Sequence, residues 1–173
     1  MSRRSLRTVL AVLAGCAAVI LVYRWVASDA RRIHAVLGRI EKLASKRPGE
    51  SDLSALNRAR QITELFADEF SVEAEPYHAS QRDRRSLAAS IYRYRSSADL
   101  IASRIVDREL SVDRGAGRAT CHLTAEFITG MRDLQGREAY RFQVNFVKRE
   151  GDWKIDYARL LEVIEEPAPG RLF

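Results

Sequence analysis

Between Ala139 and Glu165 the chain reads AYRFQVNFVKREGDWKIDYARLLEVIE, and no other stretch restricts its fold so strongly. Tyr140, Phe142, Val144 and Phe146 recur at every second position, with Arg141, Gln143 and Asn145 between them. A period of two puts the four large apolar side chains on one face of a strand. In a helix, neighbours in that series would point to nearly opposite sides. Glu150 to Asp152 turns the chain, and Trp153 opens a second long strand that runs to Glu165. Two long strands joined by so short a turn pair antiparallel, and their apolar face must be covered by another layer.

The segments before this hairpin extend the pattern. LIASRIVDRELSV (Leu100 to Val112) and RATCHLTAEFIT (Arg118 to Thr129) read as strands separated by the turn DRGAG, and a loop follows through Asp133 and Gly136. Alternation assigns Cys121, Leu123, Ala125 and Phe127 to the inward face, with Thr120, His122, Thr124 and Glu126 facing outward. Earlier in the chain the period changes to that of helices. Ile33, Val36, Leu37, Ile40 and Leu43 form one helical face, with Ser28 or Asp29 as N-cap. Pro48 and Gly49 break it, and a second face follows at Leu53, Leu56, Ala59, Ile62, Leu65 and Phe66. Phe70 to Glu75 alternates as a short strand closed by Pro76. Ser80 with Asp83 fits a capping box for a third helix that buries Leu87, Ile91 and Tyr94.

The N-terminus carries a different signal. A basic tail over 1–7, with Arg3, Arg4 and Arg7, precedes an uncharged apolar run from Thr8 to Tyr23. That run rises roughly 24 Å as a helix, and a snorkelling Arg24 lets Trp25, Val26 and Ala27 add to the span. A transmembrane signal anchor over 8–27 is the expectation. The alternative is a lipoprotein signal, because Leu-Ala-Gly-Cys at 13–16 resembles a lipobox that would place the lipid on Cys16. Against it, the chain stays apolar beyond Cys16. The short tail favours a cytoplasmic N-terminus. The rest of the chain is therefore expected on the periplasmic or extracellular side of a bacterial inner membrane, as a single-pass protein. The residues divide into a tail (1–7), an anchor (8–27), one domain (29–165) and a flexible C-terminal tail (166–173).

Charge argues against a nucleic-acid partner. The formal net charge is +6, but four of the 29 basic residues lie in the leader and all 23 acidic residues lie beyond it. The domain therefore carries 25 basic against 23 acidic residues, a nearly balanced surface. Cys16 and Cys121 are too far apart in role to pair, and His34, His78 and His122 have no partners at metal-ligand spacing, so no metal and no cofactor is expected.

A helical hairpin, a short strand, a third helix and a long antiparallel meander ending in FQVNFVKREGDWKIDYARLLEV resemble the NTF2-like (SnoaL-like, cystatin-like cone) superfamily. The resemblance implies an α+β fold in which a helix hairpin and a third helix pack in a curved antiparallel sheet around a cone-shaped pocket. It also implies two kinds of function. Enzymes of the group, such as ketosteroid isomerases and scytalone dehydratases, do acid–base chemistry from polar residues inside the cone. Other members are assembly subunits: type IV secretion channels use a protein with a short tail, one span and such a domain.

The residues favour a partner-binding or small apolar ligand-binding module. The inward face offers Tyr94, Leu123, Phe127, Tyr140, Phe142 and Phe146 as a ligand pocket and no buried carboxylate to act as base. Tyr77, His78 and Asp99 are the candidates for an isomerase, cyclase or dehydratase site, with Asp68, Tyr92 and Asp156 behind them. The same residues also read as ordinary turn and surface positions. His122, Glu126, Arg141 and Gln143 on the outward face make a partner surface, for a homodimer through the sheet or for another envelope protein.

Overall fold

A computed structural model describes residues 29–77, 79–131 and 134–165. A helix over 29–44 (α1) leads to α2 (Asp52–Thr63), β1 (Phe66–Ala74), a single 3-10 turn (Glu75–Tyr77), β2 (Ala79–Gln81) and α3 (Arg84–Ser96). Four long strands complete the domain: β3 (Leu100–Asp113), β4 (Arg118–Met131), β5 (Leu134–Arg149) and β6 (Asp152–Glu165). The three helices pack on a curved six-stranded sheet, ordered β2-β1-β6-β5-β4-β3.

The meander pairs antiparallel throughout, as its short turns require. At the β5–β6 turn Glu150 and Gly151 both take positive φ, 52° and 91°, the pair of left-handed residues that suits a two-residue hairpin. The sheet is mixed rather than antiparallel, because β1 runs parallel to β6. Between these strands the chain makes a long crossover through α3 and four other strands, which is what parallel neighbours need. Three register irregularities between β5 and β6, and one in β3 beside Asp107 (φ 49°), supply the local bends that curve the sheet.

The core fills the hollow. Cys121, Leu123, Ala125, Val144 and Phe146 from the sheet cluster with Ile33 and Leu37 of α1, Leu87 of α3 and Phe70 of β1. Trp153 ends this packing, and its indole N–H donates to the buried Asp29 carboxylate at 3.0 Å. Asp29 therefore pins the start of α1 to the β5–β6 hairpin.

Local expectations for the helices need three corrections. Leu53 is 69% exposed, while Ala55, Ala59 and Ile62 form the buried face of α2, where small side chains allow close approach to α3. Leu65 and Phe66 fall beyond the end of α2, and Phe66 begins β1. The N-cap of α3 is Asp83, whose Oδ1 accepts from the Ser86 amide at 2.8 Å, and Ser80 lies in β2.

The third-helix stripe also ends differently. Leu87 is buried and Ile91 half-buried, but the next side chain inward is Arg95, only 1% exposed, while Tyr94 is 39% exposed. An arginine fits there because α1 ends beside it with open carbonyls. The Arg95 guanidinium donates to the carbonyls of Leu43 (2.7 Å), Ala44 (2.8 Å) and Ser45 (3.2 Å), and to Glu50 Oε1 at 2.6 Å. Lys46 returns the tie by donating to the carbonyls of Arg95 and Ala98 at 2.8 and 2.7 Å. Its backbone also pairs with Ile101, covering the β3 edge.

Among the described residues no helix is long and apolar enough to cross a membrane. The tail over 1–7, the anchor expected over 8–27 with Cys16, and the tail over 166–173 lie outside the described residues.

Candidate functional site in the open end of the cone

Burial along the inward face of β4 and β5 is graded. Cys121, Leu123, Ala125, Val144 and Phe146 are buried, whereas Phe127, Tyr140 and Phe142 point the same way and are only half-buried. The hollow is thus filled near Trp153 and open toward the C-terminal end of α3. Four rings line this open end in a chain of tilted and edge-to-face contacts. Tyr94 meets Phe127 at 6.2 Å between centroids, Phe127 meets Tyr140 at 6.1 Å, and Tyr140 meets Phe142 at 6.3 Å.

One step further along the same face stands a carboxylate. Phe127 pairs with Glu138 across the β4–β5 ladder just as Ala125 pairs with Tyr140 and Leu123 with Phe142. Glu138 is 3% exposed. Its Oε2 accepts from the Tyr94 hydroxyl at 3.1 Å and from the Tyr140 hydroxyl at 3.0 Å, and its Oε1 accepts from Thr129 at 3.4 Å. The expectation of a cone without a buried carboxylate is therefore wrong. Gly136, Arg137 and Glu138 read as loop because glycine and charge follow the Asp133 turn, yet β5 extends back to Leu134. Counting two residues back from Tyr140 would have reached Glu138.

The cluster is electrostatically coupled. Burial, the negative charge of Glu138 and the nearby Tyr77, together with the hydrogen bond to Glu138, push the Tyr140 phenol well above its ordinary value. Tyr140 is therefore a lasting donor to Glu138. Among the described residues no lysine, arginine or histidine forms an ion pair with Glu138.

The other expected residues distribute as follows. Tyr77 closes the 3-10 turn, partly exposed, close enough to act on Tyr140. His78 lies outside the described residues. Asp99 is exposed in the turn ahead of β3, where its amide donates to the Gly130 carbonyl at 2.9 Å. Tyr94, Phe127, Tyr140 and Phe142 line the open end, while Leu123 and Phe146 belong to its packed floor.

On the outward face Glu126 pairs with Arg137 at 3.5 Å and Arg141 with Glu162 at 2.8 Å, and Gln143 donates to Asn145 at 3.2 Å. His122 is exposed, opposite Gln143 and Glu109. Glu126 thus takes its charge partner across the strands, as a ladder does. Thr124, expected to face solvent, is buried. Among the described residues no three His, Cys, Asp or Glu side chains gather to hold a metal.

The comparisons agree with this architecture. An NTF2-like protein with a cystatin-like fold from Novosphingobium aromaticivorans superposes with a TM-score of 0.66 at 14% identity, covering 82% of this chain and 86% of its own. A Kribbella flavida protein gives 0.66 at 12% identity, covering 83% and 95%. The hexachlorocyclohexane dehydrochlorinase LinA-type3 of Novosphingobium barchaimii gives 0.62 at 10% identity, covering 85% and 94%. At such identities the likeness is one of fold. No curated protein sequence matches the chain significantly. The family model of the SnoaL-like domain matches residues 55–159, more than half of the sequence, and the chain belongs to the SnoaL-like family.

Proposed function

We propose that the chain is a membrane-tethered SnoaL-like domain that binds a small, largely apolar molecule in the open end of its cone. The graded burial carries this reading: Phe127, Tyr140 and Phe142 face inward yet remain half-exposed, beside the few polar groups of the Glu138 cluster. Covering such rings gains about 25 cal/mol per Å² of apolar surface. Apolar walls with a few fixed polar groups are what small-molecule sites offer. The leader would hold the domain at the bacterial inner membrane on its periplasmic side, through the anchor over 8–27 or through lipid on Cys16. The outward face around His122, Glu126, Arg141 and Gln143 would then meet a second copy or another envelope protein.

Acid–base catalysis in the cone is the second reading, favoured by the buried Glu138 and by the fold shared with a dehydrochlorinase. The hydrogen bonds speak against it. A general base needs a lone pair directed at its substrate, and three of the roughly four lone-pair sites of the Glu138 carboxylate already accept from Tyr94, Tyr140 and Thr129.

The test is a titration of the full chain, in maltoside micelles, with 3,3-dimethylbutan-1-ol followed by NMR. Saturable shifts of the Phe127, Tyr140 and Phe142 ring resonances are expected. Shifts confined to the outward face, or none that saturate, would sink the reading.

A further inference from the structure

The open end of the cone carries a charge preference as well as an apolar one. Glu138 is almost wholly buried and forms no ion pair among the described residues. Its neighbour Arg137 points the other way, to Glu126 and Glu165 on the outward face. A buried carboxylate is costly unless donors or a cation compensate it. The hydroxyls of Tyr94, Tyr140 and Thr129 supply the donors, and the charge itself stays close to the pocket wall.

The tyrosines translate that charge to the ligand. The Tyr94 and Tyr140 hydroxyls both donate to Glu138 Oε2, so neither phenol has a proton left to give a ligand, and the Tyr140 oxygen keeps lone pairs that can only accept. The rings of Tyr94, Phe127, Tyr140 and Phe142 add electron-rich faces in one connected wall. Such faces attract a cation within about 6 Å of the ring centre. An anion would meet the field of Glu138 and no donor of the cluster free to receive it.

We propose that the ligand of this cone is an organic cation, a protonated or quaternary amine on an apolar body, held over the Tyr94–Phe127–Tyr140–Phe142 wall with Glu138 as its buried counter-charge. The inference rests on the binding-module reading and deepens it. Glu138 stays behind the two phenols and acts through its charge, so its removal alters preference more than pocket shape.

The experiment compares choline with 3,3-dimethylbutan-1-ol, in which carbon replaces the charged nitrogen, on the full chain in maltoside micelles. The cone rings serve as the NMR readout. Choline is expected to bind at least tenfold tighter than the alcohol. Glu138→Gln keeps the side-chain shape and should bring the two affinities within about twofold by weakening choline alone, on a scale where tenfold is about 1.4 kcal/mol. Equal affinities in the unaltered chain would overturn the cation preference while leaving an apolar pocket standing. Failure of both probes to move the cone rings would overturn the pocket with it. The comparison in the unaltered chain decides even if Glu138→Gln does not fold. A preference for choline that survives in a folded Glu138→Gln would refute the role given to the carboxylate.

Discussion

Asp29→Ala should be among the most costly single changes outside the apolar core. Asp29 Oδ1 accepts from Trp153 Nε1 at 3.0 Å and from Lys148 Nζ at 2.9 Å, and Lys148 also stands 5.6 Å from the indole centre. Trp153 is 3% exposed, so alanine leaves its N–H buried without an acceptor, a loss of about 1–3 kcal/mol. The Lys148 side chain is 30% exposed and rehydrates, so its share is under about 1 kcal/mol. Together the loss should be about 1–4 kcal/mol, read from urea unfolding at neutral pH.

Acid supplies a second arm. Burial raises the Asp29 carboxyl, but the hydrogen bonds from Lys148 and Trp153 and the charges of Lys148 and Arg114 outweigh it and hold the group below its ordinary 3.8. A depressed folded value means that the stabilisation is present above the unfolded value and disappears as pH falls through the folded one. The gap between the original chain and Asp29→Ala should therefore narrow below about pH 4. In a Trp153→Phe background Asp29→Ala should cost clearly less. A loss under about 0.5 kcal/mol at neutral pH, far below the cost of a stranded buried donor, would refute the reasoning. So would an undiminished loss beside phenylalanine.

Phe146→Ala empties a site with no exposed surface and should cost about 3–5 kcal/mol by the same urea assay. A third of that would mean that Phe146 has room to be replaced by neighbouring side chains. Tyr140, raised by burial and by Glu138, is stabilising below its unfolded value of about 10, and that contribution is lost as pH rises beyond it. Tyr140→Phe should accordingly flatten the alkaline loss of stability above about pH 10, as seen by circular dichroism. Mass spectrometry of the membrane-extracted chain should find Cys16 unmodified with Met1 or Ser2 retained. A diacylglyceryl adduct on Cys16 with residues 1–15 missing would show the lipoprotein alternative instead.

The elements legible in the residue pattern were those whose periods are long and unambiguous. Tyr140 to Phe146 alternate over enough positions to specify both a strand and its inward face, and Glu150-Gly151-Asp152 specifies how the hairpin closes. Period two is a local property, written in neighbouring residues. Its short or interrupted pieces were less legible. Leu53 carries the helical pattern but lies in the first turn of α2, and Phe66 continues that pattern into a strand. Three decisions belonged to the tertiary structure alone. The parallel pairing of β1 with β6 depends on a long crossover that no local pattern encodes. Arg95 is buried because the last carbonyls of α1 meet it, so its burial is a property of two helices together. Glu138 looks like a loop residue beside Arg137, and becomes the buried polar centre of the cone only when Tyr94 from α3 and Thr129 from β4 bring their hydroxyls to it. A carboxylate in an apolar cavity is tolerable only with such partners. Those partners lie 44 and 9 residues away in the chain.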